Sequence, residues 1–312
     1  MSAQDPAPGE RRAGVWLCLA AALVWSSGGL FIKRIELPAM EIAGLRGIFS
    51  AALFALLWSR QERPAGRWSF QATVGALSVA FTVLFFVMAT RWTTAAAAIF
   101  LQSSAPAWVL VLGWVLLGLV PSRTDALALV GCGLGLALFF VGKLSGASFW
   151  GNVVALLSGV AFGIHILSMR QVDGTLRLPV LAWGNALAAL LALGGAASGL
   201  TSLVVREELA FSLPTLPQWL NLLYLGIVQI GLGYSLFVLA IRRITSMEAS
   251  LLVLLEPVLN PVWVYLGTGE SPGGWAVAGG VLVLATLAWH TVRAHGRPAP
   301  IASSPASTDG QS

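Results

Sequence analysis

The chain has 312 residues, of which 57% are hydrophobic and only 10% are charged, and its mean hydropathy is +0.83. Soluble domains contain about 25% charged residues, so this composition excludes a soluble enzyme, a disulfide-rich secreted module and a disordered chain. The net charge of +5 does not indicate a nucleic-acid partner, because the basic residues stand singly or in pairs between long apolar runs. The sequence therefore predicts a multi-pass protein of the lipid bilayer.

Ten apolar stretches are long enough to cross the hydrocarbon core as α-helices. We number them segments 1 to 10, with predicted limits at 14–32, 39–58, 69–90, 93–118, 125–142, 149–169, 179–203, 217–240, 246–267 and 273–292. A cytoplasmic segment at 1–13 precedes them, and a cytoplasmic tail at 293–312, rich in Ala, Ser and Pro, is predicted to be disordered.

The distribution of positive charge predicts the orientation, since Lys and Arg are retained on the cytoplasmic side. With both termini inside, twelve of the 18 basic residues lie in cytoplasmic connections, five lie outside and Arg46 lies within a span. The local exception is the pair Lys33 and Arg34, which falls outside. The expected location is the cytoplasmic (inner) membrane of the cell, and the sequence leaves a monomer and a homodimer open.

The chain contains an internal repeat. An offset of 151 positions aligns identical residues of segments 3 and 4 with those of segments 8 and 9; ten of them are Phe86, Val87, Ala89, Arg91, Thr94, Ala98, Leu101, Pro106, Val111 and Gly118. An offset of 137 pairs Gly14, Trp25 and Lys33 with Gly151, Phe162 and Arg170. Each repeat, at 14–142 and 143–292, has five spans, so the second enters the membrane in the opposite sense. The predicted fold is an all-α integral membrane protein of ten transmembrane helices in two inverted five-helix repeats, a plan suited to alternating access.

Several motifs resemble the EamA family of the drug/metabolite transporter superfamily. They run from Ala240 to Thr245, from Leu255 to Pro257 and through Gly269-Glu270, with Pro38, Arg46, the Ala89-Thr90-Arg91 run and Pro106 fitting in the first half. This resemblance implies a ten-helix carrier. Members of the family are mostly exporters of amino acids, metabolites or drugs. The chain departs from the pattern in one respect, because the positions related by the repeat to Glu256 and Glu270 are Ala105 and Leu119.

Two ionisable residues are expected near the membrane midplane, Arg46 in segment 2 and Glu256 in segment 9. A charge at this depth costs about 2.5 to 3.5 kcal/mol on insertion scales, so both should face the bundle interior. One hypothesis is that Arg46 binds a solute carboxylate while Glu256 receives an amine or exchanges a proton. The other is a structural ion pair between the two.

Further candidates for solute binding are polar, aromatic or proline residues expected along the same cavity. Asn260 lies one helical turn beyond Glu256, and Phe162 and His165 share a face of segment 6. The remaining candidates are Trp25, Gln102, Pro106, Gln229, Tyr234 and Pro257. Glu41 and Glu248 lie nearer helix ends and are predicted to act as gates. For each of these, helix packing or snorkelling to water is the alternative.

The sequence thus predicts a secondary transporter of small organic solutes, an exporter of amino acids or related metabolites, with protons as the hypothetical coupling ion. It has no nucleotide-binding loop and no metal or catalytic motif, so neither a cofactor nor an enzymatic activity is expected. Efflux of drugs or lipophilic cations is one alternative, and a membrane sensor or scaffold without transport is another.

Overall fold

The computed structural model describes residues 8–61, 67–118, 122–141, 146–198, 212–240, 243–244, 252–253 and 255–294. Within these ranges every regular element is a helix. Seven helical stretches there are long and apolar enough to cross a membrane: Gly9–Arg34, Ala39–Ser59, Phe70–Trp92, Ala95–Leu116, Ser148–Met169, Gly174–Ala197 and Leu216–Phe237. They correspond to segments 1 to 4 and 6 to 8.

The three remaining segments are also helical in the described part of the chain. Segment 5 is Arg123–Leu138, segment 9 is Leu255–Thr268 and segment 10 is Gly274–Ala294. The predicted all-helical architecture of ten segments is therefore confirmed. The first helix begins at Pro8, earlier than predicted, and the last ends at Ala294, whereas the rest of the predicted tail lies outside the described residues.

The packing of the segments follows a pseudo-two-fold relation between the repeats. Three pairs of repeat mates pack together in the described chain, namely 2 with 7, 4 with 9 and 5 with 10. Further contacts are matched between the repeats, because segment 3 packs on 6 as 8 packs on 1, and segment 4 packs on 6 as 9 packs on 1. This arrangement is the one expected of two inverted five-helix repeats.

Segments 1 and 4 are both interrupted in mid-span. Segment 1 consists of Pro8–Ser26 and Gly28–Arg34, and segment 4 of Ala95–Gln102 and Ala105–Leu117. Serine hydroxyls at each interruption donate to carbonyl oxygens of the preceding turn, as Ser27 does to Val24 at 2.7 Å. These bonds satisfy backbone groups that an interruption would otherwise leave bare in an apolar environment.

Segment 8 changes its helical geometry in the middle. It begins as Leu216–Leu223, continues as the π-helix Tyr224–Leu232 and ends as Gly233–Ala240. A π-helix is wider than an α-helix and is frequent at functional sites. Here it places Gln229 against the interruption of segment 1, where the Gln229 amide nitrogen donates to the Trp25 carbonyl oxygen at 3.4 Å.

The peripheral segments 5 and 10 are joined by a polar contact at their Asp125 and His290 positions. The His290 Nε2 and Asp125 Oδ1 atoms are 2.7 Å apart. Asp125 also accepts a hydrogen bond from the backbone of Ser122 and so completes a capping box that starts segment 5. The capping box fixes the start of segment 5 after Ser122. The contact between Asp125 and His290 joins the two repeats.

Candidate functional site

Arg46 lies inside the bundle, and one nitrogen of its guanidinium group is bonded to the backbone. The residue is 2% exposed. Its Nη2 atom donates to the Val83 carbonyl oxygen at 3.0 Å, whereas its Nη1 atom has no hydrogen-bond partner in the described part of the chain. Since a guanidinium presents its donors in a fixed planar fork, the second nitrogen remains available to a planar acceptor such as a carboxylate.

Tyr234 of segment 8 lies near Arg46 and Glu256, close enough for both to act electrostatically on its hydroxyl. Among the described residues, Arg46 and Glu256 form no direct ion pair. The structure therefore does not contain the ion pair that was one of the two hypotheses for these residues.

An aromatic wall surrounds this tyrosine. The Trp25 ring packs edge-on against Tyr234 with centroids 5.2 Å apart, and it also contacts Phe237 at 5.3 Å. Phe54 contacts Tyr234 from segment 2 with centroids 6.3 Å apart. Gly233 allows the Trp25 indole to approach the backbone of segment 8. Segments 1, 2 and 8 thus contribute to one aromatic surface beside the charged groups.

Two buried amide side chains, Gln229 and Asn260, lie at the interruption of segment 1. A Cβ atom on Gly28 would lie 2.9 Å from the Gln229 Nε2 atom, and one on Gly29 would lie 2.5 Å from the Asn260 Oδ1 atom. The glycine pair therefore allows side chains of segments 8 and 9 to reach the helix axis of segment 1. Asn260 and Gln229 are both buried, as is Pro257 on the same helix as Asn260.

We refer to Trp25, Arg46, Gln229, Tyr234, Glu256 and Asn260 as the midplane group. Four of its members carry buried polar atoms that have no hydrogen-bond partner among the residues that the structure describes: Trp25 Nε1, Arg46 Nη1, Gln229 Oε1 and both amide atoms of Asn260. Leaving a buried polar atom unpaired costs about 1 to 3 kcal/mol, so several at one place are expensive. The group offers donors and acceptors together.

Other predicted site residues lie elsewhere, between segments 3, 4 and 6. The Gln102 amide donates to the Ser158 hydroxyl at 2.7 Å, and that hydroxyl donates to the Thr82 carbonyl oxygen at 2.9 Å. Phe162 stacks on His165 with ring centroids 6.3 Å apart. These contacts are those expected of helix packing, so the structure does not unite Phe162 with its repeat mate Trp25 in one aromatic pair.

His165 and Pro106 also occupy positions with a local structural explanation. His165 is buried and its Nδ1 atom lies 3.3 Å from the Gly75 carbonyl oxygen. Pro106 is exposed and stands in the first turn of the helix Ala105–Leu117, where a missing backbone donor carries no cost. Pro106 therefore starts a half-helix and does not bend a continuous one.

Of the two predicted gate residues, the structure describes only Glu41. Glu41 is fully buried, and neither of its carboxylate oxygens has a side-chain or backbone hydrogen bond of ordinary length among the described residues. It therefore does not snorkel to the surface, which was the alternative to a gate role. Glu248 lies outside the described residues.

The sequence analysis did not include a polar cluster at the far end of segment 1. Lys33 Nζ lies 2.6 Å from Glu270 Oε2 and donates to the Thr93 carbonyl oxygen at 2.9 Å. Glu270 Oε1 accepts from the Ala95 backbone at 2.7 Å, where a half-helix of segment 4 begins. Lys33 is the exception to the charge asymmetry, and Glu270 belongs to the quoted family motif. The sequence therefore singles out each residue, but it does not indicate that the two are in contact.

Comparison with known proteins agrees with this architecture. A curated protein of Archaeoglobus fulgidus described as "Uncharacterized transporter" is 25% identical over 289 residues, which cover 88% of this chain and 95% of that protein. The "Uncharacterized transporter YxxF" of Bacillus subtilis is 21% identical over 305 residues, covering 94% and 95% of the two chains. One crystal structure superposes with a TM-score of 0.60 at 17% identity, covering 91% of this chain and 99% of the other, a likeness of fold alone.

The two halves are also recognised separately as members of one family. The family described as "EamA-like transporter family" matches residues 12–141 and again residues 149–291. The two matches coincide with the two sets of five segments. This protein is therefore a multi-pass membrane transporter that belongs to the EamA-like transporter family.

Proposed function

We propose that this transporter is a secondary exporter of small organic solutes, most simply amino acids or related metabolites, in the cytoplasmic membrane. The supporting observation is that Trp25, Gln229 and Asn260 meet at the interruption of segment 1 and carry buried polar atoms without a hydrogen bond among the described residues. Arg46 of segment 2 carries another such atom. A solute with a carboxylate and further polar groups satisfies these atoms when it binds. The free-energy cost of leaving these atoms unpaired in the empty protein is then relieved and contributes to the free energy of solute binding.

The proposed mechanism is alternating access between the two inverted repeats. Arg46 binds the solute carboxylate through its Nη1 atom, and the aromatic wall of Trp25 and Tyr234 contacts the apolar part. Glu256 receives a solute amine or exchanges a proton with it, because burial favours the neutral form of a carboxyl group. The orientation with both termini in the cytoplasm follows from the distribution of Lys and Arg.

A ligand screen tests the solute class. Thermal unfolding of the purified protein is measured with amino acids, organic acids, nucleosides, sugars and lipophilic cations. A ligand at 100 times its dissociation constant stabilises the native state by about 2.7 kcal/mol, which raises the unfolding temperature measurably. We expect amino acids or related carboxylates to give the shift, and uptake of the same solute into liposomes that contain the protein.

Two tryptophan variants give the matched control. Trp25→Phe removes an unpaired donor, so we expect weaker solute binding, by about twofold to tenfold, without loss of stability in the empty protein. Trp108→Phe removes a hydrogen bond to Ser104 Oγ at 3.1 Å, so it lowers stability but preserves binding. If both variants bind the solute with unchanged affinity, the midplane group is not the binding site.

Efflux of lipophilic cations is the second candidate, and the aromatic wall beside Glu256 favours it. Cations bind aromatic faces and buried carboxylates, so Trp25, Tyr234 and Glu256 suit such a ligand. The thermal unfolding screen distinguishes export of amino acids from efflux of lipophilic cations. If the protein is a cation carrier, lipophilic cations stabilise it and carboxylates do not. Transport of none of the tested solutes would favour a sensor or scaffold.

A further inference from the structure

The two ends of the molecule differ, although the repeats that form them are related. At the end that contains Lys33, the described helix of segment 9 packs against both halves of segment 1. A Cβ atom on Gly267 would lie within contact of Leu30, and the Arg34 guanidinium donates to the Gly267 carbonyl oxygen at 3.4 Å. The Trp263 indole donates to Ser26 Oγ at 3.0 Å, nearer the centre.

Segment 8 closes the same end from the other side. Phe31 and Tyr224 pack with ring centroids 4.2 Å apart, and the Ser27 and Tyr224 hydroxyls are 2.9 Å apart. The ion pair of Lys33 and Glu270 connects the two repeats at the surface of this end. Segments 1, 8 and 9 are therefore joined by apolar, polar and ionic contacts, with no break among the described residues.

The repeat mates of these segments separate at the opposite end. Segments 4 and 6 are close near the centre, where a Cβ atom on Gly163 would lie 3.0 Å from the Trp108 Cβ atom. Beyond this point they diverge and enclose, with segment 3, a pocket of about 250 Å³. The described residues that line it are largely apolar and uncharged: Phe70, Gln71, Val74, Leu112, Leu116, Ile164, Leu167, Ser168 and Gln171.

The difference is clearest at matched residues. Leu30 and Leu167 are related by the offset of 137 positions, and Gly267 and Leu116 by the offset of 151. At the closed end Leu30 packs against Gly267, whereas Leu116 and Leu167 line the pocket. The glycine allows close contact in one repeat, and the leucine at its mate position holds the helices further apart.

In an inverted-repeat carrier, alternation exchanges the conformations of the two repeats, so the closed end and the open end change places. We infer that this structure is the state open at the cytoplasmic end, and that the pocket between segments 3, 4 and 6 is a water-filled vestibule of that state. This inference rests on the proposed function and on the proposed orientation. The described lining, which includes two amides and one hydroxyl, admits a solute that has an apolar portion.

Cysteine labelling tests this inference in the full chain. Leu167→Cys and Leu30→Cys are placed in a background in which the buried Cys18 and Cys132 are replaced by alanine. A charged, membrane-impermeant maleimide is added to vesicles of either orientation. We expect Leu167→Cys to react only from the cytoplasmic side, at least about tenfold faster than Leu30→Cys reacts from the outside, since the outward-open state is then a minor population.

A second reporter protects the test against a variant that fails to fold. Val74→Cys changes the side-chain volume little, is partly exposed, lines the same pocket and should react like Leu167→Cys. Equal reaction of Leu30→Cys from the outside overturns the inference. So does reaction of both pocket cysteines with a lipophilic maleimide alone, because the pocket then faces lipid. The labelling experiment detects a vestibule open to one side whether or not any tested solute is transported. Transport into liposomes is a separate measurement, so the proposed function can fail while this inference holds, and the reverse.

Discussion

At the scale of single residues, the midplane group shows how a membrane protein keeps polar atoms in an apolar interior. Arg46 donates to a backbone carbonyl, and among the described residues it forms no ion pair with Glu256. A direct pair would compete with a solute for both side chains. In the proposed transport cycle each side chain can therefore bind a solute.

Glu256→Gln tests whether this carboxylate carries protons. The amide has the same shape but cannot release a proton, so we expect transport driven by an imposed pH gradient to be lost while solute exchange persists. The measurement is uptake into liposomes with and without the gradient. Asp173→Asn makes the same chemical change at an exposed carboxylate that only accepts bonds from Thr175, and it should leave both activities unchanged. Unchanged gradient dependence in Glu256→Gln would end the proton-coupling hypothesis.

At the scale of helices, close packing depends on glycines whose backbone approaches a neighbouring segment. Gly184 of segment 7 is such a position, because an added Cβ atom would lie 2.8 Å from the Ala76 carbonyl oxygen of segment 3. Gly194 lies on the same helix, and an added Cβ atom there would meet nothing within 4 Å. The two residues differ in contact with a partner helix, and their local helical structure is the same.

Replacement of each glycine by alanine separates packing from helix propensity. Gly184→Ala should lower the free energy of unfolding by about 1 to 3 kcal/mol, because the backbone of segment 3 has to move. Gly194→Ala should raise it by up to about 1 kcal/mol, because alanine is the better helix former. Thermal or denaturant unfolding in detergent measures both. Equal effects of the two changes would contradict the packing described for segments 3 and 7.

The cluster of Lys33 and Glu270 is the ionic part of the closed end. Glu270→Gln removes the ion pair and weakens the bond to the Ala95 backbone, so the closed end should open more often. Partly exposed ion pairs contribute about 1 kcal/mol or less, which corresponds to at most about fivefold faster maleimide labelling of Leu30→Cys. Glu36→Gln, in the connection between segments 1 and 2, should leave the rate unchanged. A rate unaffected by Glu270→Gln would show that apolar contacts alone close this end.

At the scale of the whole molecule, the repeats give the protein two related but unequal halves. The repeats differ in sequence at the ion pair, since Leu119 stands at the position that matches Glu270. The end that contains Lys33 therefore has a contact between opposite charges that Leu119 cannot form in the other repeat. Such a difference sets the relative stability of the two states of a carrier.

The orientation predicted from Lys and Arg has a direct test. Gly174→Cys lies in the connection between segments 6 and 7, and Ser271→Cys between segments 9 and 10. With both termini in the cytoplasm, an impermeant maleimide should label Gly174→Cys from the inside and Ser271→Cys from the outside. Labelling of both cysteines from one side would mean that a span had been miscounted, and exchange of the two sides would reverse the orientation.

The number of segments, the inverted repeat and the family could be recognised in the sequence, because hydrophobic length and repeated identities are local or periodic signals. Arg46, Glu256 and Asn260 could be singled out for the same reason, since polar residues stand out in apolar segments. The interruptions at Ser27 and at Ser103 and Ser104 could not, because serines within an apolar run are compatible with a continuous helix.

The tertiary structure alone decided which candidates meet. It placed Trp25 against Tyr234 and Gln229 against the interruption of segment 1, and assigned Gln102, Phe162 and His165 to packing between segments 3, 4 and 6. It also joined Lys33 to Glu270 across more than 200 positions of sequence and formed a pocket between segments 3, 4 and 6. Such long-range contacts depend on how helices rotate and approach one another, which the hydrophobicity of a single segment does not specify.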